Sequence, residues 1–299
     1  MSKKSSLKFR NKIWLIISWP YLWLLVFFLA PFLIIVKISF SSFAEKIPPY
    51  TDLVTYVEGM LSINLDLSNY LFIFEDSLYW SSYLSSIRIA AIATFITLLI
   101  SYPLAYFIAR MSNPFRNICM LLVILPSWTS FLIRIYAWIG ILKEEGLLNH
   151  FLIWLNVISD PLKIMYSETA VYIGIVYSYL PFMVFPLYVA IVKMDMSVVE
   201  AGFDLGARPV ANFFRVILPL SAQGIISGSM LVFIPSLGEF IVPDLLGASE
   251  TKMIGRVMWT EFFNNRDWPL ASALTVIMMM MLILPLMLFN NAQNKEVGK

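Results

Sequence analysis

Six times along the chain, at about residues 13–38, 83–108, 118–140, 170–192, 221–243 and 269–289, the sequence passes through an apolar run more than twenty residues long. As a helix, each run reaches about 30 Å, the thickness of a bilayer's hydrocarbon core. A soluble domain carries about 25% charged residues. This chain has 13%, against 60% hydrophobic residues, and its mean hydropathy is +0.79. In hydrocarbon no water is available to backbone N–H and C=O groups, so a crossing segment must satisfy them internally, and runs of this length do so as helices. The expected fold class is all-α and integral to the membrane, with six transmembrane helices in one domain over residues 1–299.

Lys3, Lys4, Lys8, Arg10 and Lys12 precede the first run, which contains no small-residue cleavage site. A signal-peptide core is roughly 7–15 residues long, so this longer run reads as an uncleaved span. Six spans return the chain to its starting side. The loops on that side carry twelve lysines and arginines: the five just named, Arg110, Arg116, Lys193, Arg208, Arg215, Lys295 and Lys299. The opposite loops hold six in much more sequence. Positive charge is retained on the cytoplasmic side, which predicts cytoplasmic N- and C-termini and a cytoplasmic stretch at about 193–220. Fourteen acids, among them Glu58, Asp66 and Asp244, fall in the outer loops and four in the inner ones. An acidic outer face either concentrates cations and repels anions or docks a basic partner.

One cysteine, Cys119, and one histidine, His150, give neither an internal disulfide nor a cluster at metal-ligand spacing. No metal or cofactor is expected. The sequence has no Gly-x4-Gly-Lys-Ser/Thr loop, so it is not expected to bind ATP phosphates or to act as an enzyme, and any energy from ATP must enter through a partner. The expected surroundings are membrane lipid and protein, without nucleic acid. In the polar loop at 39–80, Leu61, Ile63, Leu65 and Leu67 alternate with Ser62, Asn64, Asp66 and Ser68, the period of a short strand.

Between the fourth and fifth runs lies a polar, helix-patterned stretch, Ser197 to Pro219. Ser197 followed by Glu200 has the spacing of a capping box, predicting a short helix that starts there and buries Val198, Val199 and Leu205. Gly206 ends it. Pro209 suits the first turn of a second helix, along which Val210, Phe213, Phe214 and Ile217 fall at helical spacing. The prediction is helix, corner, helix.

Ionisable groups at membrane depth are costly and face a bundle interior or a cavity. Glu239 sits between Pro235 and Pro243, with Ser236 before it on the same face. Two readings stand for it: ligand of a cationic amine, or ion-pair partner of a base near the outer end of the span. Ser127, Ser130, Arg134 and Trp138 have the spacing of a polar stripe on one helix, with Arg134 expected in an ion pair or as an interfacial anchor. Lys37 and Arg88, near outer span ends, are expected to snorkel. Trp128, Tyr136, Trp138, Tyr172, Tyr177, Tyr179 and Tyr188 are belt or packing residues, a few of which offer ring faces to an ammonium group. Met278 to Met281 read as lipid-facing filler.

Glu200-Ala201-Gly202, Gly206 after three further residues, and Val216-Ile217-Leu218-Pro219 after nine more resemble the EAA loop of ATP-binding-cassette importer permeases. That family usually has alanine where this chain has Gly202. The resemblance implies a type I importer permease fold and a helix-corner-helix that docks into a groove on a cytoplasmic ATPase. The residues it brings to that contact are Glu200, Ala201, Gly202, Asp204, Gly206 and Arg208. From Pro20 onward the chain is similar to the permease subunits of bacterial putrescine/spermidine importers, nearest the putrescine type. The likeness is clearest at LVILPSWTSFLIRIYAWIGILK (122–143), AVYIGIVYSYLPFMVFPLY (170–188), GSMLVFIPSLGEFIVPDLLG (228–247) and IGRVMWTEFFNNRDWP (254–269).

By that resemblance the partners are a second, homologous permease, two copies of the ATPase, a periplasmic polyamine-binding protein and the polyamine itself, moved by alternating access. The substrate pathway is expected to include Glu239, Ser236, Trp128, Tyr177, Tyr179 and Asp244. Two other functions stay open: the same architecture with another small solute as cargo, an anion, a sugar or an iron complex, and an ATP-independent secondary transporter or channel. The acid excess outside and Glu239 at depth weigh against the first, and the EAA-like stretch weighs against the second.

Overall fold

The computed structural model describes residues 17–57 and 60–297. The basic N-terminal cluster, the first residues of the first run, Glu58 and Lys299 lie outside the described residues. Among the described residues, four helices are long and apolar enough to cross a membrane: α1 (Ile17–Ser39), α3 (Ser77–Arg110), α7 (Glu168–Val192) and Trp268–Met287, the apolar part of α13 (Trp268–Val297). Two bent pairs raise the number to six: α4 (Asn113–Trp128) with Phe131–Trp154, bent by 94°, and α9 (Pro209–Leu220) with α10 (Ala222–Leu237), bent by 68°. Phe131–Trp154 comprises α5 (Phe131–Leu142) and α6 (Leu147–Trp154).

The third expected span is therefore not straight. Pro126 lies in a 3-10 turn over Leu125–Trp128, where it lacks the N–H an α-helix needs, and the Thr129 hydroxyl donates to the Pro126 carbonyl at 2.7 Å. Thr129 and Ser130 are extended, and α5 starts in a new direction. Ser127 thus does not share a helix face with Arg134, and the expected polar stripe does not form. Pro103, Pro181 and Pro186 lie inside continuous helices, as prolines in membrane helices can when neighbours resatisfy the backbone.

By contacts the chain falls into two compact units. One comprises Met1–Asp76 and Met258–Met280. In it, α1 is apolar and exposed along most of its length, the pattern of a span seen without its lipid and partners. After α1 comes an antiparallel pair of strands, β1 (Val54–Val57) with β2 (Met60–Ile63), pairing Val54 with Ile63. The expected strand ends there, short of its predicted length, because Asp66 is drawn into a helix start. Its carboxylate accepts from the Ser68 N–H at 2.8 Å and the Ser42 hydroxyl at 2.6 Å, ahead of α2 (Ser68–Glu75). These bonds hold the Asp66 carboxyl below the usual carboxylate range.

The second unit comprises Ser77–Val257 and Met281–Lys299. Here α3, α7 and α10 pack on one another. One buried cluster gathers Ile89, Ala93, Ile135, Val171, Ile175, Val242 and Leu246; another gathers Tyr102, Ala105, Met183, Val184, Leu187 and Val232. Gly224 and Gly228, one turn apart on α10, let it close on α7. A Cβ at Gly224 would stand 2.6 Å from Ala190 Cβ, and one at Gly228 2.7 Å from Met183 Sδ. This is the small-xxx-small contact by which membrane helices approach, and the four-residue spacing was readable in the sequence. Arg88 on α3 does not merely snorkel: it pairs with Glu168 in the first turn of α7.

Candidate functional site

The fifth apolar run stops being a helix at Leu237. Pro235 and Gly238 weaken its end, and Glu239 supplies the polar groups for the restart. Glu239 Oε1 accepts from the N–H of Phe240 at 3.1 Å and of Ile241 at 3.0 Å, the first donors of the short helix α11 (Ile241–Leu245). Its Oε2 accepts from the Tyr179 hydroxyl on α7 at 2.6 Å. The residue is only 7% exposed, and no base lies within 4 Å of it among the described residues. Of the two readings of Glu239, the ion pair does not form among the described residues. A carboxylate offers about four acceptor positions, and described donors occupy three.

Tyr179 leads from the carboxylate to a cavity of about 590 Å³ lined by Tyr179, Phe182, Ser227, Met230, Ile234 and Pro235. Almost all of that wall is apolar. Arg134 is half-buried, with its guanidinium over the Phe131 ring at 5.4 Å, and its Nε has no hydrogen-bond partner. No acid pairs with it among the described residues, so of the two roles expected for Arg134, ion pair or interfacial anchor, the ion pair does not form there.

The other sequence-predicted pathway residues are spread around this centre. Ser236 is fully buried and gives its hydroxyl to the Val232 carbonyl at 2.6 Å, so it closes the helix end instead of facing the cavity. Trp128 is 73% exposed at the end of α4. Tyr177 meets Trp138 edge-on at 5.3 Å and lines a separate cavity of about 430 Å³ with Ile96, Tyr172 and Leu180. Asp244, on the first turn of α11, is exposed and paired with Arg256 at 3.0 Å.

The stretch at 193–220 folds as expected in outline. Helix α8 (Met196–Asp204) ends at Leu205 and Gly206, whose φ of +81° is costly for any residue with a Cβ, and α9 restarts at Pro209. The cap, however, is Asp195: its Oδ1 accepts from the Ser197 N–H at 3.0 Å, which also holds the Asp195 carboxyl below the usual range. An acidic side chain two residues ahead does the work predicted for Ser197. Of the three apolar residues expected inside, only Val199 is buried, while Val198 and Leu205 are 45% and 89% exposed. With Phe203, Val210 and Phe214, also exposed, they form an uncovered apolar surface on the helix pair. Glu200, Ala201, Asp204 and Arg208 are exposed, and Gly202 lies against Asn212. Sequence reasoning passed over Asn212, which is fully buried.

Where α9 meets α10, the Ser221 hydroxyl lies 2.8 Å from the Tyr102 hydroxyl of α3, and Tyr102 stacks edge-on against Phe213. The helix pair is thereby tied to the second unit's helices at the bend.

Residues 101–299 match the family described as "Binding-protein-dependent transport system inner membrane component". The chain is 41% identical over 265 residues to the spermidine/putrescine transport system permease protein PotB of Escherichia coli K12, covering 87% of this chain and 92% of the relative. It is 38% identical over 278 residues to PotB of Haemophilus influenzae, covering 92% and 93%. Among solved structures, it matches a chain of a bacterial alginate ABC transporter in complex with an alginate pentasaccharide-bound periplasmic protein, with a TM-score of 0.72, 13% identity, and 99% and 98% of the two chains covered. A chain of the MetNI methionine ABC transporter matches with a TM-score of 0.51 and 13% identity, covering 72% of this chain and 94% of the other. At those identities the structures speak for the fold alone: an ABC-transporter permease fold.

Proposed function

The chain belongs to the family of binding-protein-dependent transport system inner membrane components, and on that premise we propose that it is the permease subunit of an ATP-driven importer of polyamines, putrescine and/or spermidine. Cargo moves from periplasm to cytoplasm by alternating access. The relatives that cover nine-tenths of their own length here are spermidine/putrescine permeases, which supports the cargo class.

One observation carries the cation specificity. Glu239 is a buried carboxylate at a break in a membrane helix, held by two backbone N–H groups and a tyrosine hydroxyl, with no basic side chain within 4 Å of it among the described residues. A group so placed favours an incoming ammonium, because an unpaired charge at depth is costly and a cation relieves it. The apolar cavity beside Tyr179 suits the methylene chain of a polyamine, and the rings of Tyr179 and Phe182 offer π faces to its charge. Trp128 and Asp244 are assigned to the mouth of the same pathway, Tyr177 to the second cavity along it, and Ser236 to the helix end that presents Glu239.

Both termini and the stretch at 193–220 are assigned to the cytoplasm, where the exposed surface around Leu205 and Val210 docks one of two ATPase copies in helix-in-groove fashion. Glu200, Ala201, Gly202, Asp204, Gly206 and Arg208 belong to that contact. A second, homologous permease completes the pathway, and a periplasmic binding protein delivers cargo to the acidic outer face. Uptake of radiolabelled putrescine and spermidine in cells lacking other polyamine importers tests this reading. Deleting the chain abolishes uptake of at least one of them, and undiminished uptake of both would contradict it.

A further inference from the structure

Asn212 sits on α9 with no solvent exposure. Its Nδ2 crosses to α8 and donates to the Val199 carbonyl at 2.9 Å. Its Oδ1 has no hydrogen-bond partner and lies where a side chain at position 202 would begin: a Cβ built on Gly202 would stand 2.3 Å from it. The two observations explain each other. The amide reaches the opposite helix only because residue 202 has no side chain, and the glycine, a poor helix former by about 1 kcal/mol against alanine, occupies a helix interior where this approach requires it. The α8–α9 corner turns through Gly206, which constrains nothing by itself: a Cβ there would meet nothing within 4 Å. The Asn212 bond joins the helix bodies on either side of that corner.

We propose that Asn212 is the positioning residue of this element, clasping α8 to α9 across the Gly202 gap so that the exposed apolar face moves as one rigid piece. The inference rests on the reading above that this face docks the ATPase. Without the clasp the helix pair flexes at Gly206, and a push on the exposed face is absorbed in the corner instead of reaching the bend at Ser221.

The test uses the whole importer in lipid nanodiscs or proteoliposomes, with two readouts. The first is amide hydrogen exchange over residues 196–204, which is independent of ATP. N212A exchanges at least threefold faster there than the parent, while residues 222–237 are unchanged; equal exchange in the two proteins would overturn the clasp. The second is cargo moved per ATP hydrolysed. N212A lowers that ratio at least threefold while the ATPase still co-purifies, and G202A, whose methyl displaces Oδ1, does the same. Because both substitutions break one contact, G202A/N212A is no worse than N212A. Additive losses, an unchanged ratio, or loss of the co-purifying ATPase in N212A would each overturn the positioning role. A parent complex without ATP-dependent uptake would instead refute the coupling reading, and the exchange measurement would still decide the clasp.

Discussion

Replacing Glu239 with glutamine removes the charge and spares the scaffold. The glutamine carbonyl oxygen still accepts from the N–H of Phe240 and Ile241, and its amide still meets the Tyr179 hydroxyl, which turns to accept, so the break before α11 keeps its three bonds. What disappears is the carboxylate's attraction for an ammonium. A hydrogen bond to a charged group contributes about 1.5–3 kcal/mol net, which corresponds to about 10- to 150-fold in affinity. E239Q is therefore expected to raise the half-saturating concentration of polyamine for uptake, or to lower uptake at a fixed subsaturating concentration, by a factor in that range. The assay is radiolabelled uptake in cells lacking other polyamine importers, with the assembled complex measured in parallel by co-purification. Uptake within twofold of the parent, from an assembled complex, would refute the role given to Glu239. So would a complex that no longer assembles, since that outcome makes the residue structural.

At the corner of the helix pair, Gly206 has φ +81° and open space where a Cβ would go, so substitutions there test backbone strain without steric clash. Alanine is expected to cost about 1–2 kcal/mol, valine more and asparagine less, and cargo moved per ATP should fall in the order Gly, Asn, Ala, Val; a valine variant that couples normally would contradict this. Leu205, 89% exposed, has little packing to lose within the chain, so L205E should leave the permease folded by thermal melting yet reduce the co-purified ATPase at least tenfold. In the segment after α1, Asp66 has its carboxyl held below its ordinary value by the Ser42 hydroxyl and the Ser68 N–H. A depressed carboxyl contributes stability above its unfolded value of about 4 that is lost as pH falls through the lower folded value. D66N should accordingly increase amide exchange over residues 39–70 at pH 7, with the difference from the parent shrinking below pH 4; a difference independent of pH would refute the assignment.

Hydropathy made the crossing segments legible because length and apolarity are local properties. α3, α7 and the apolar part of α13 lie close to the predicted runs. It did not see the breaks. Pro126 lies in the 3-10 turn that closes α4 while Pro103 and Pro181 leave their helices intact, and the difference is the Thr129 hydroxyl that takes up the Pro126 carbonyl, together with the non-helical backbone of Thr129 and Ser130. Serine and threonine after a proline were the available signal. At Glu239, sequence singled out the residue but left its partner open, because Tyr179 is sixty positions away and on another helix. The helix pair at 193–220 was recognisable from its spacing, yet its apolar residues were assigned to the inside when most face out. Helical periodicity marks a face and is silent on whether this chain or a partner covers it. Asn212 escaped because a lone asparagine in a polar stretch resembles any other, and the departure of Gly202 from the family pattern was the clue to it.

The central claim is that ATP hydrolysed outside this chain drives a polyamine through it. Its most direct test is uptake into proteoliposomes holding the two permeases and the ATPase, with the binding protein and radiolabelled polyamine outside and ATP enclosed. The account predicts accumulation above the outside concentration only when ATP and binding protein are both present, and its loss in E239Q. Equal uptake without ATP would contradict it.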